Sequence, residues 1–116
     1  MTADPDCVFC KIISGEIPAT VVHEDETTFA FRDLDPQAPT HVLVVPRSHF
    51  ANAADLAAGD PGAAADLFAA AGEIAAKDGL DGGYRLVFNT GADANQTVLH
   101  VHMHVLGGRA MGWPPG

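Results

Sequence analysis

The spacing of hydrophobic positions changes along the chain, and each change predicts an element. Phe9, Ile12 and Ile13 recur at helical spacing, so Phe9 to Ser14 reads as a short helical turn. Gly15 and Pro18 break it. Val21 to Glu24 and Thr27 to Arg32 read as strands joined by the acidic turn Glu24-Asp25-Glu26, and Asp33 to Pro39 is a turn-rich loop. His41-Val42-Leu43-Val44-Val45 is a nearly continuous apolar run ended by Pro46, the pattern of a central strand. Asp60-Pro61 opens the clearest helix, with Asp at the N-cap and Pro at the first helical position. Leu67, Phe68, Ala71, Ile74 and Ala75 then form one apolar stripe that can pack on a sheet, and Gly79 supplies the stop. Tyr84 to Asn89 and Val98 to Leu106 read as the last two strands. Gly107-Gly108 ends the second of them, and the prolines of Trp113-Pro114-Pro115-Gly116 exclude regular structure from the tail. The pattern predicts an α+β fold: a mostly antiparallel sheet of about five strands, one long helix packed on it, and a short N-terminal helix.

Composition narrows the function. At 116 residues the chain is long enough for one domain and not two, so 1–116 reads as a single domain with 107–116 as a non-regular tail. With 47% hydrophobic and 18% charged residues it should fold around a core. No apolar run approaches the roughly 18 to 20 residues that span a bilayer. Met1-Thr2-Ala3-Asp4-Pro5-Asp6 lacks the basic start and apolar run of a secretion signal. The expectation is a cytoplasmic protein that does not engage a membrane. The net charge is −9, and Lys11, Arg32, Arg47, Lys77, Arg85 and Arg109 are scattered, which argues against nucleic acid as a partner. A small phosphate ester can still bind, because backbone amides and imidazoles can hold one phosphate.

The candidate chemistry sits in Val98-Leu99-His100-Val101-His102-Met103-His104-Val105-Leu106. Alternation on a strand sends Val101, Met103 and Val105 to one face and His100, His102 and His104 to the other. Each two-residue step covers about 6.5 to 7 Å, so the outer histidines stand about 13 Å apart and cannot share one ion. Histidine is the side chain best suited to act near neutral pH as nucleophile, base or acid. His102, with a neighbour on each side, is the best placed to be a nucleophile. Cys7 and Cys10 have a spacing that suggests a metal site or a redox pair before a structural disulfide. Both thiolates could meet one zinc ion, which would need two further ligands.

His100-Val101-His102-Met103-His104-Val105-Leu106 resembles the His-φ-His-φ-His-φ-φ signature of the histidine triad family, where φ is hydrophobic. The likeness extends to Phe9-Cys10-Lys11-Ile12-Ile13, Glu16-Ile17-Pro18-Ala19, Pro36-Gln37-Ala38-Pro39-Thr40-His41, Gly107-Gly108-Arg109 and Trp113-Pro114-Pro115-Gly116. Together these resemble the nucleotide-binding branch of that family. The resemblance implies a small homodimeric hydrolase that cleaves the P–N bond of purine nucleoside phosphoramidates and needs no cofactor for catalysis. It implies that His102 is a nucleophile forming a transient nucleotidyl-histidine. His104 would contact the phosphate, and His41 would be an additional histidine beside the triad. Asp33 would bind the ribose hydroxyls, which suits a carboxylate able to accept two hydrogen bonds. Asn89, Gln96 and Thr97 would lie on the phosphate side, Thr97 among the catalytic groups. Phe9, Ile12, Phe31 and Leu34 would form the base pocket, and the tail 107–116 would lie at the dimer interface.

Two features depart from the branch. Thr97 and Asn95 stand where Ser and Gly are common, which puts the leaving-group preference in question. Members with the cysteine pair complete a zinc site with the two corresponding histidines, so the resemblance implies Cys7, Cys10, His49 and His100 as a structural zinc set. The rival expectations are a dinucleoside polyphosphate hydrolase of the same superfamily and a non-catalytic nucleotide-binding or scaffold protein. The few basic residues and the tail argue against the first, and the presence of His102 argues against the second.

Overall fold

The computed structural model describes residues 3–116; Met1 and Thr2, which begin the stretch read above for a secretion signal, lie outside the described residues. The fold is α+β. Strands β1 (Val21–Glu24), β2 (Thr28–Arg32), β3 (Thr40–Pro46), β4 (Tyr84–Val87) and β5 (Met103–Gly107) form one antiparallel sheet in the order β1-β2-β3-β5-β4. Helix α1 (Val8–Ile13) precedes the sheet, and α2 (Ala53–Gly59) and α3 (Pro61–Lys77) lie between β3 and β4. Among the described residues no helix is long and apolar enough to cross a membrane.

The continuous apolar run of β3 is explained by burial on both faces. Val42 and Val44 point with Ala30 and Val105 toward Leu67, Ala71 and Ile74 of α3. Leu43 and Val45 point with Phe29 and Phe31 to the other face, where Phe9 and Cys10 of α1 cover them. One strand thus carries two cores, and the second core brings the N-terminal cysteines under the sheet.

Helix α3 begins where the sequence places it, with the Asp60 side chain accepting from the Ala63 amide and Pro61 in the first turn. Its stripe needs one correction. Phe68 is 55% exposed, and Ala63 and Ala70 complete the buried face instead. Helix α2 is absent from the sequence reading, although Asn52 at its N-cap, accepting from the Asp55 amide, is a readable start signal. At its far end α3 is tied to the sheet. Arg32 donates to both carboxylate oxygens of Asp78 at 2.6 and 3.1 Å, and Thr40 donates to one of them at 2.9 Å. The guanidinium holds the Asp78 carboxyl below its ordinary range.

The last strands are shorter than their patterns predict. β4 stops at Val87, and β5 starts only at Met103. The β3–β5 ladder stops early although β3 itself runs on to Pro46, which pairs with Thr28 on the other side. Beyond the Val44–Met103 pair, no β3 residue pairs with the chain that leads into β5. Val101 donates instead to the Phe50 carbonyl at 2.7 Å. Residues 98–102 therefore leave the sheet, and His100 and His102 are not on a regular strand.

Candidate functional site

That departure separates the three histidines. His102 and His104 remain neighbours, with ring centroids 5.0 Å apart, and both line one cavity of about 330 Å³. His100 is fully buried and turns away into a cluster with Cys7, Cys10 and His49. The even row expected from alternation is corrected to a pair and a single residue facing different sites.

Backbone groups fix the proton positions on His102 and His41, and through His41 that on His104. The His100 carbonyl lies 2.8 Å from His102 Nδ1. A carbonyl only accepts, so Nδ1 carries the proton and His102 Nε2 keeps a bare lone pair. The Gln37 amide lies 3.0 Å from His41 Nδ1. An amide only donates, so His41 carries its proton on Nε2, which donates to His104 Nδ1 at 2.9 Å. His104 is then left with a proton on Nε2. Neither the His102 nor the His104 Nε2 has a partner among the described residues, and neither is sealed from the cavity. The cavity is thus offered a nucleophilic nitrogen beside a hydrogen-bond donor. Burial is the main force pushing His41 down and His104 down to about 4, with nearby histidines adding to the shift on His104. His104 is therefore a neutral donor near pH 7.

These shifts carry a stability consequence. Below about pH 6.5 the unfolded chain takes up protons that the folded His104 refuses until about pH 4. Stability is therefore complete above that window and falls on acidification through it, by up to ~1.4 kcal/mol per pH unit for each such group. Urea midpoints measured between pH 7 and 4.5 should fall, and His104→Gln should flatten the slope. An equal slope in the variant would remove this explanation.

The rest of the cavity is apolar on its walls. Phe9, Ile12, Phe31, Leu43 and Val98 line it, with Asp33, Thr97 and Leu34 at the rim. Phe9 meets His102 edge-on at 5.0 Å and Phe31 at 5.5 Å, which holds the His102 ring against the wall. Leu34 is 100% exposed, so it stands at the mouth rather than inside. Asp33 Oδ2 lies 3.5 Å from His41 Nε2, and its Oδ1 accepts from the Asp35 amide. Asn89 and Gln96 do not line the cavity. Asn89 donates to Ala94 O at 2.7 Å. Gln96 donates to Ala51 O and Val98 O and accepts from the Gly91 amide. Both brace the loop that carries Thr97. Asn95, noted above where Gly is common, has φ +64, a conformation that Asn tolerates better than most residues.

The sequence reading missed the backbone of Gln37, Pro46 and His100, which set the protons, because a peptide group has no residue signature. It also left out Leu43 and Val98, apolar residues that read as ordinary strand core.

The cluster behind the site has the geometry of a tetrahedral ion. His100 Nδ1 lies 3.5 Å from both thiol sulfurs and 3.2 Å from His49 Nδ1, and Cys10 Sγ lies 3.6 Å from His49 Nδ1. Ligands around one tetrahedral zinc stand about 3.5 Å apart for sulfur and nitrogen and about 3.3 Å apart for two nitrogens. His100 Nε2 donates to Pro46 O at 2.9 Å, which leaves its Nδ1 lone pair facing the cluster, as a metal ligand requires. The Asp4 amide donates to Cys10 Sγ at 3.3 Å and the Cys10 amide to Cys7 Sγ at 3.5 Å, contacts that favour thiolates. Burial first, and then the neighbouring Cys7 and Asp4, push the Cys10 thiol up, so a thiolate there calls for a cation. A second group, Asp33, His41 and His104, is also close-set. It does not fit a metal in the same way. The Gln37 amide occupies the nitrogen of His41 that would have to carry the proton if Nε2 bound an ion.

Comparison with known proteins places the chain. A family model, the HIT domain, matches residues 14–111. The chain is 49% identical over 111 residues to an HIT-like protein of Synechococcus elongatus, covering 96% of this chain and 97% of that one. It is 46% identical to the 14 kDa zinc-binding protein of Zea mays, covering 97% and 90% of the two chains. A crystal structure of an HIT family hydrolase from Legionella pneumophila superposes with a TM-score of 0.92 at 51% identity, covering 96% of this chain and all of that one. The triad motif, the match along most of the sequence and the shared fold lead to one conclusion: this chain belongs to the HIT, or histidine triad, family.

Proposed function

We propose that the chain hydrolyses the P–N bond of purine nucleoside phosphoramidates by two displacements. The observation that carries this reading is the proton map of the cavity, a bare His102 Nε2 beside a protonated His104 Nε2. The first can attack an α-phosphorus, forming the P–N bond of a nucleotidyl-histidine as the bond to the amine breaks and the amine leaves with a proton taken from solvent; water then displaces the histidine, releases the nucleoside monophosphate and returns a proton to solvent. His104, neutral, donates a hydrogen bond to the phosphoryl oxygens where charge develops, and Thr97 offers a hydroxyl at the same rim. Phe9, Ile12 and Phe31 suit a flat base, and Leu34 can close over it. Asp33 can accept from a ribose diol. A panel of adenosine and guanosine phosphoramidates, phosphorothioates and dinucleoside polyphosphates, ranked by kcat/KM, tests the reading. Preference for a dinucleoside polyphosphate, or no turnover of any member, would reject it.

We assign zinc to Cys7, Cys10, His49 and His100. The donor set and spacing support it, as does the name of the Zea mays relative. In that position the ion would serve structure and supply no chemistry at phosphorus.

The working unit in this proposal is a homodimer. Strand β4 ends the sheet with one unpaired edge. Tyr84 on that strand is exposed, as is Phe68, whose ring meets that of Phe88, just beyond the strand, at a tilt with centroids 6.2 Å apart. Trp113 is 82% exposed, next to Gly112, whose carbonyl is held by Arg85 of β4. A second copy added at this edge covers the patch and brings the tail toward the neighbouring cavity. Light scattering should give twice the chain mass. Truncation after Arg109 should leave a folded protein with altered amine leaving-group preference; a monomer, or identical kinetics across leaving groups, would count against the arrangement.

A further inference from the structure

His104 is oriented by a chain of contacts that ends outside the cavity. Its Nδ1 is held by His41, and the Nδ1 of His41 is in turn held by the backbone amide of Gln37. Gln37 lies in the exposed loop between β2 and β3, and its side chain turns back to donate to Asp35 O at 2.9 Å. The loop is gripped from the other end of the protein. Arg109 Nε donates to the Gln37 carbonyl at 2.9 Å, while its Nη1 donates to Ala110 O at 3.1 Å. One residue earlier, Gly108 has φ +89, and a Cβ built on it would sit 2.9 Å from Pro39 Cβ. The segment just after β5 therefore touches the loop just before β3 twice, once by a hydrogen bond and once by close packing.

We propose that Arg109 is a positioning residue for His104. By holding the Gln37 carbonyl it keeps the Gln37 N–H on His41 Nδ1, and so keeps the proton of His104 on Nε2. If that amide swings away, His41 can take its proton on Nδ1. Its Nε2 then becomes an acceptor, and the contact with His104 reverses. His104 would donate from Nδ1 and turn a bare Nε2 toward the cavity, where it would repel a phosphoryl oxygen instead of binding it. Asp33, 3.5 Å from His41 Nε2, favours the original arrangement, so the reversal is partial. The kinetic part of this inference rests on the phosphoryl-transfer reading above; the proton map does not.

The test is a long-range proton–nitrogen correlation spectrum of the imidazoles, recorded on the full-length protein without substrate. In the wild type, His41 and His104 should each show a protonated Nε2 and a bare Nδ1. Arg109→Ala should shift both toward averaged tautomers while the His102 pattern, set by the His100 carbonyl, stays as it was. Arg109→Lys, which keeps a donor on a long stem, should restore much of the wild-type pattern. With substrate, kcat for Arg109→Ala should drop about tenfold or more for every amine leaving group alike, as expected for partial loss of one oxyanion donor, with nucleoside monophosphate affinity within about twofold. A folded Arg109→Ala protein with wild-type imidazole nitrogens overturns the proposal. A wild-type protein that cleaves no phosphoramidate rejects the proposed function instead, and the spectra still decide the role of Arg109.

Discussion

Substituting His102 with Ala should lower kcat by several orders of magnitude while a nucleoside monophosphate still binds. The first half follows from the bare Nε2, since no other lone-pair nitrogen opens into the cavity among the described residues: His104 presents a proton there, and His41 faces His104. Losing a covalent nucleophile removes the reaction path rather than one contact along it. The second half follows from the location of the binding surfaces. Ile12, Phe31 and Asp33 sit on α1, on β2 and just beyond β2, and none depends on the His102 ring for its place. Isothermal titration with a nucleoside monophosphate and single-turnover kinetics read the two halves separately. Rescue of His102→Gly by free imidazole would show that only the ring is missing. Retention of more than about a tenth of wild-type kcat in His102→Ala would mean that the nucleophile lies elsewhere.

The second large effect is expected from the metal cluster. Protein purified without added metal should carry about one zinc per chain by elemental analysis. Cys7→Ser should lose it. A ligand held at about a thousand times its dissociation constant stabilises the fold by about 4 kcal/mol. In a chain of this size that corresponds to a melting-temperature drop on the order of 15 °C when it is lost. The loss should be large because the cluster joins three separate parts of the chain: the start of α1, the segment after β3 and the approach to β5. Much of the activity should survive at low temperature, because Pro46 O still holds His100 Nε2, so the His100 carbonyl stays within reach of His102. Metal-free wild-type protein with unchanged melting after chelator treatment would reject the zinc assignment and leave the role of His102 untouched.

The elements with strong local signals are legible in the sequence. Asp60-Pro61 marks the start of α3 because an N-cap and a first-turn proline act within a few residues. The strand at His41 to Val45 is legible because an apolar run that short, closed by proline, has few alternatives to a central strand. The triad and the cysteine pair identify the family and two chemistries. Other features depend on distant partners. The alternation of His100, His102 and His104 suggests one strand face, yet the β3–β5 pairing stops at Val44–Met103 and the Val101 amide goes to the Phe50 carbonyl instead. That loss of pairing sends His100 to the cysteines and leaves His102 with His104. Phe68 fits the helical stripe, but a stripe does not say which of its edges the sheet reaches.

What the sequence determined by itself, then, is which side chains are available and which short segments bend or cap, since these follow from local sterics and residue chemistry. The tautomers of His41, His100 and His102, and of His104 through His41, follow from the fold alone. A histidine's tautomer is set by the group facing its other nitrogen, and here those groups are the Gln37 amide and the carbonyls of Pro46 and His100. Two of these contacts span four residues or fewer, but each depends on where distant strands and loops place the backbone. Peptide groups are the same at every position of a chain, so their directing role becomes visible only once the fold has aimed them.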